Sequence, residues 1–135
     1  MKTCLIVEDS EIIREIAMRI LAELSIESRE VEDAAAGLEQ CRQNKPDFVL
    51  LDWDLPSLGA LDFLRGAAEL PQDQRPTILL CATENDPQQF SLAKAAGAAH
   101  HILKPFDRQS IEAKLAQMGV IETAQAAEFK AASAS

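Results

Sequence analysis

The chain is short of the features that mark several protein classes. It has 3 cysteines, Cys4, Cys41 and Cys81, and no Cys-x-x-Cys spacing. Cys4 and Cys81 fall in strand-like apolar runs and Cys41 in a helix-like one. All three read as reduced thiols packed as small hydrophobes. No apolar run is long enough to span a bilayer, so no membrane contact is expected. The opening "MKTCLIVEDS" has four apolar residues, Cys4 to Val7, before two acids. That is too short for a signal peptide and reads as a first strand, which places the chain in the cytoplasm. Basic residues are in deficit, 13 against 22 acids, for a net charge of −9. Such a surface repels nucleic acid, so no nucleic-acid partner is expected. Surplus carboxylates can instead gather around a cation.

What is present is ordinary for one globular domain. The 135 residues suffice for a proper core, with 47% hydrophobic and 26% charged residues. "CLIV" (4–7) is a short buried strand, and Ser10 can cap a helix with apolar positions Ile13, Ile16, Ala17, Ile20 and Leu24. "ESREV" (27–31) is a more polar strand suited to an edge, followed by a helix over 34–43. "DFVLL" (47–51) is a buried strand, 59–69 a helix and "TILLCA" (77–82) another buried strand. "DPQQFSLAKAAG" (86–97) is a helix with Pro87 in its first turn and Gly97 at its end. "HHIL" (100–103) and 107–117 are the last strand and helix. Strand and helix alternate five times, which implies an α/β fold with a parallel sheet covered on both faces. Residues 1–121 read as one domain and 122–135 as an Ala/Ser-rich tail with no output domain.

Chemistry-bearing residues recur where the strands end. Glu8-Asp9 follow the first strand, Asp52 the third, Ala82-Thr83 end the fourth, and Lys104-Pro105 follow the fifth. In an open parallel sheet these carboxyl ends line one edge, where ligands bind. Three carboxylates there repel one another unless a hard cation sits among them. Mg²⁺ prefers oxygen ligands and keeps water or substrate oxygens in its shell. Glu8, Asp9 and Asp52 suit it, with the Asp54 carbonyl as a further ligand. An aspartate beside a metal and a lysine can accept a phosphoryl group, and Lys104 is the available point charge. His100-His101 is no transition-metal site, because no further Cys or His lies at ligand spacing.

The residues "LIVEDS", "DFVLLDWDLP", "PTILLCATEND" and "AGAAHHILKPFD", in this order, resemble the receiver domain of two-component response regulators over about residues 2–120. The resemblance implies a flavodoxin-like (βα)5 doubly wound fold, with a five-stranded sheet in the order 2-1-3-4-5. It implies Asp52 as phosphoacceptor, Glu8 and Asp9 as the Mg²⁺ pair, Lys104 as the family's lysine, and a cis bond before Pro105. "CATEND" looks most like stand-alone receivers, some of which serve chemotaxis. Asp54 and Glu84 match positions that tune the lifetime of the acyl phosphate. Three departures stand out. The switch hydroxyl position falls on Ala82, with Thr83 one residue late. Gly59-Ala60 replace the usual Asp-Gly. His101 occupies the aromatic switch position.

These features predict a phosphorelay receiver rather than a turnover enzyme. A histidine kinase or phosphotransfer protein would donate to Asp52. Output would be protein docking on the face of the fourth helix, fifth strand and fifth helix, as a monomer or weak homodimer. A degenerate receiver that binds partners without phosphate is the alternative raised by Ala82 and Gly59-Ala60. A haloacid-dehalogenase-like phosphatase is raised by "LLDWD", but there the nucleophile precedes the acidic ligands, and no Thr follows Asp54 here.

Overall fold

The structure is a computed structural model and describes residues 2–121. The expectation of an Ala/Ser-rich tail over 122–135 lies outside the described residues. Five strands, β1 (Thr3–Val7), β2 (Glu27–Val31), β3 (Phe48–Asp52), β4 (Thr77–Ala82) and β5 (His100–Leu103), alternate with five helices. The helices are α1 (Glu11–Glu23), α2 (Ala34–Asn44), α3 (Gly59–Ala68), α4 (Pro87–Ala95) and α5 (Arg108–Gln117). All strand pairs are parallel, and the order is β2-β1-β3-β4-β5. This is the doubly wound, flavodoxin-like arrangement that the resemblance implies, built on the covered parallel sheet that the alternation predicts.

Hydrophobicity follows position in the sheet. β3 is buried at every residue, whereas the edge strand β2 is exposed or half-buried throughout. Two apolar layers cover the sheet. One joins Leu5, Val7, Val49 and Leu51 to Cys41, Phe63, Leu64 and Ala93, from α2, α3 and α4. The other joins Cys4, Ile6, Leu50 and Leu79 to Ala17, Leu21, Ile111 and Leu115, from α1 and α5. Burial of this kind contributes roughly 25 cal/mol per Å² of apolar surface and is the main force holding the layers together. The three thiols are free and buried, and burial pushes Cys41 up to about 11 and Cys81 up to about 12.

Four helices start on a side-chain cap. Ser10, Asp33, Asp86 and Asp107 each accept a backbone N–H from the first turn. The buried face of α1 differs from the sequence expectation. Ala17 and Ile20 are buried as expected, but Ile16 is 43% exposed, and Leu21 and Arg14 are buried instead. The inward stripe is Arg14, Ala17 and Leu21, at helical spacing. Its first member is a cation, so an apolar count misses it.

α1 leaves β1 toward one face of the sheet, and α3 leaves β3 toward the other. A crevice therefore opens above the carboxyl ends of β1 and β3.

Candidate functional site

Glu8, Asp52 and Lys104 meet in that crevice. Lys104 Nζ donates to Glu8 Oε1 at 2.9 Å and to Asp52 Oδ1 at 2.8 Å. Glu8 and Asp52 are buried, and the Lys104 side chain is 7% exposed. The sequence places Asp52 just past a strand over 47–51. The structure moves that strand one residue on, so Asp52 is its last residue, paired with Cys81, and is buried at the strand's carboxyl end. The cause is that the ladder continues: Trp53 N–H donates to the Cys81 carbonyl at 2.8 Å. Asp47, dropped from the strand, instead accepts the Thr3 N–H at 2.8 Å.

Carboxylate oxygens of Glu8, Asp9 and Asp52 lie within 4.8 Å of one another. Glu8 and Asp52 form the buried floor of the group, and Asp9 is exposed at its rim. Burial, reinforced by the hydrogen bond with Asp52, pushes the Glu8 carboxyl up to about 7 against the pull of Lys104. Burial would lift Asp52 too. Hydrogen bonds from Glu8, Lys104 and the Asp54 N–H outweigh it and hold Asp52 below the ordinary aspartate value. Burial disfavours the Lys104 ammonium, but the two carboxylates outweigh it and raise its pKa. Asp52 is thus the ionised acid of the pair, and Lys104 stays charged.

The group fits a hard divalent cation. Its donors are all carboxylate oxygens, two anchored by burial and one open to water, with a surplus of negative charge over Lys104. The nearby thiol, Cys81, is held protonated and offers no soft ligand.

The remaining predicted residues lie around this centre. Asp54 donates its N–H to Asp52 Oδ1 at 2.9 Å, but its carboxylate turns away to Thr83. Thr83 gives that carboxylate oxygen both its N–H, at 3.3 Å, and its hydroxyl, at 3.2 Å. Thr83 and Asp54 therefore bridge the loops after β4 and β3 at the surface. Ala82 is buried and presents a methyl group, while its carbonyl accepts the Lys104 N–H at 2.7 Å. Glu84 is exposed on the loop between β4 and α4. The Lys104–Pro105 bond is cis.

His101 is exposed and stacks on Phe90 of α4, with ring centroids 3.8 Å apart and planes 14° from parallel. Partial burial, then Lys114 and His100, lower its pKa below the ordinary histidine value. The loop after Asp52 includes a turn over Pro56–Leu58, in which Ser57 (φ 57°) and Leu58 (φ 60°) take left-handed conformations. Gly59 then opens α3 with an ordinary helical backbone, so the glycine is not where the turn needs one.

Arg14 was not singled out by the sequence. Its Nη1 donates to the Glu8 carbonyl at 2.7 Å, and its Nε donates to Glu30 Oε1 at 3.3 Å. The available signal was its spacing with Ala17 and Leu21 on the inward stripe of α1.

A doubly wound α/β domain with a buried carboxylate pair, a rim acid and a bridging lysine at one sheet edge belongs to a narrow class. It is a flavodoxin-like domain with an acidic, lysine-bridged cluster at the carboxyl edge of its sheet. A model of the response regulator receiver domain matches residues 4–116, and the chain belongs to that family. Over 112 residues it is 28% identical to chemotaxis protein CheY-3 of Vibrio cholerae, covering 82% of this chain and 86% of that one. It is 27% identical to chemotaxis protein CheY of Pseudomonas aeruginosa over 112 residues, 82% of this chain and 90% of that one. The solved structure of chemotaxis response regulator CheY4 of Vibrio cholerae superposes with a TM-score of 0.80 at 25% identity, covering 87% of this chain and 98% of that one. The chain is a CheY-like receiver of two-component signalling, a signalling class rather than a class of turnover enzymes. Receiver domains bind Mg²⁺ at an acidic pocket, and this chain carries a cluster of three acids, Glu8, Asp9 and Asp52, at its sheet edge. No helix among the described residues is long and apolar enough to cross a membrane.

Proposed function

We propose that this receiver takes a phosphoryl group on Asp52 from a histidine kinase or phosphotransfer protein, in a Mg²⁺-dependent reaction. The observation that carries the reading is the Lys104 ammonium seated between Asp52 and Glu8. One oxygen of the ionised Asp52 carboxylate attacks phosphorus, and the bond to the donor's imidazole nitrogen breaks. The imidazole keeps the electron pair and gains a proton. Lys104, held charged, is placed to follow the phosphoryl oxygens as negative charge builds on them. Glu8, Asp9 and Asp52, with the Asp54 carbonyl, would hold Mg²⁺. The ion supplies charge neutralisation where two anions must meet. Asp54 and Glu84 flank the mouth and set the lifetime of the product.

Two surfaces support partner binding. Ile12 and Ile16 are 69% and 43% exposed on α1. Together with Ile13, Pro105 and Phe106 they give the crevice an apolar border. A donor whose imidazole reaches Asp52 must rest on that border. Elsewhere, Leu92 of α4 and Leu103 of β5 are 48% and 39% exposed, on the two elements that carry the His101–Phe90 stack. That region, extended to α5, is the proposed downstream docking face.

Incubation with a small phosphodonor and Mg²⁺, followed by intact mass, tests the reading. A single phosphoryl adduct that is absent in Asp52→Asn is expected. A second reading, a binding module that ignores phosphate, is favoured by Ala82 and by the engagement of Thr83 with Asp54. No adduct on folded protein would select it.

A further inference from the structure

Arg14 is a buried cation that the chemistry above does not use. Only 6% of it is exposed, on a helix face otherwise packed with Ala17 and Leu21. An arginine is rarely buried without a set of partners that needs it. Arg14 has three. Nη1 donates to the Glu8 carbonyl at 2.7 Å, Nε to Glu30 Oε1 at 3.3 Å, and Nη2 pairs with Glu32 Oε1 at 3.6 Å. These groups come from the residue after β1, from β2 and from the residue after β2. The guanidinium therefore ties α1 and both strand ends to the backbone of Glu8, which with Asp52 supplies the buried oxygens of the acidic cluster. Two further contacts fix the same short segment. Glu8 N–H donates to the Val31 carbonyl at 3.1 Å, and Ser10 N–H donates to Glu8 Oε2 at 3.2 Å.

We infer that Arg14 is a positioning residue for the cation site: it clamps the Glu8 carbonyl so that the Glu8 and Asp9 carboxylates are presented toward Asp52. Arginine suits this role because its rigid fork reaches several acceptors at fixed angles. Its charge also balances the acids that surround it. A lysine of the same charge reaches fewer acceptors, and a methionine of similar length reaches none. Groups that orient metal ligands from behind change metal affinity by about 10- to 100-fold when removed.

The proposal rests on the reading of Glu8 and Asp9 as cation ligands. The test therefore has one arm with metal and one without. Trp53 fluorescence is titrated with Mg²⁺ in the full chain, in Arg14→Met, in Arg14→Lys and in Glu30→Gln. Affinity about tenfold weaker in Arg14→Met, with partial recovery in Arg14→Lys, is expected. In the metal-free arm, hydrogen exchange of the Ser10 amide is expected to quicken in Arg14→Met, relative to amides of β4. A purely structural role would lower the melting temperature and leave the Mg²⁺ affinity and relative Ser10 exchange of the folded protein at the parent's values, and this result overturns the proposal. If Arg14→Met does not fold, Glu30→Gln decides. It keeps the arginine but loosens one prong, and parent-like affinity and exchange in that variant contradict the clamp. Silence of the parent toward Mg²⁺ would instead defeat the reading of the acids as ligands, and Ser10 exchange would still report on Arg14.

Discussion

Lys104 Nζ lies 2.8 Å from Asp52 Oδ1, although 52 residues separate them in the chain. The contact exists because β3 and β5 flank β4 in one parallel sheet and end at the same edge. Removing the lysine leaves two buried acids without their shared cation. Lys104→Met is expected to lower unfolding free energy by about 3 kcal/mol in Mg²⁺-free urea titrations near pH 8. Added Mg²⁺ should restore part of that loss, and phosphoryl transfer should remain slow. Unchanged stability would mean that the ion pair is not part of the native balance.

Glu8 gives the fold a pH dependence with a definite sign. Its carboxyl is pushed from 4.5 to about 7, so the fold favours its protonated form. The stabilisation from this group is complete below about 4.5 and is lost as pH rises through about 7. Glu8→Gln should erase that slope. Without Mg²⁺ the variant is expected to exceed the parent's stability at pH 8 by on the order of 1–2 kcal/mol and to match it near pH 5. With Mg²⁺ the order should reverse, because the amide is a poor ligand for the ion. Chemical denaturation at the two pH values reads both effects.

Ala82 leaves the site one hydroxyl short, and Thr83 does not fill the gap, because Asp54 holds it at the surface. A hydrogen bond to a charged group is worth about 1.5–3 kcal/mol. Ala82→Ser is therefore expected to tighten binding of beryllium fluoride, a phosphoryl mimic, by about tenfold. Equal affinity would show that a residue-82 hydroxyl does not reach the bound group.

The acids at the mouth should act on lifetime rather than capture. Asp54→Asn also loosens the hold on Thr83, whereas Glu84→Gln alters the opposite loop. Each variant is expected to take up one phosphoryl group and to lose it at a rate different from the parent's, followed by intact mass over time. Parent-like decay in both would remove these residues from the account.

The apolar border of the crevice should matter only to a protein donor. Ile16→Asp places a charge on exposed surface and is expected to leave stability within about 0.5 kcal/mol. Transfer from a cognate kinase should slow about tenfold or more. Transfer from a small phosphodonor should stay at the parent's rate. Equal slowing with both donors would place the effect inside the site.

Much of this architecture was legible because hydrophobic runs and punctuation agree. Phe48 to Leu51 are buried on both faces, and the polar run Glu27 to Val31 could sit only at an edge. The convergence of Glu8, Asp52 and Lys104 followed from topology, since parallel strands deliver their last residues to one side. Local geometry was less visible. Asp52 joined β3 because a backbone hydrogen bond from Trp53 extends the ladder, which no side-chain pattern encodes. Arg14 was hidden because a cation interrupts the apolar stripe it completes. Thr83 was known to stand near the site, but its partner depends on where the Asp54 side chain turns two residues beyond Asp52.

Trp53 adjoins Asp52 and is the only tryptophan in the chain, so its fluorescence reports on the site directly. The most direct test is to titrate it with Mg²⁺ and then with beryllium fluoride, in the parent and in Asp52→Asn. The account predicts a saturable Mg²⁺ response and a second, fluoride-dependent response in the parent, with the second absent in the variant. No response to either in folded parent protein, or a fluoride response that survives in Asp52→Asn, would contradict it.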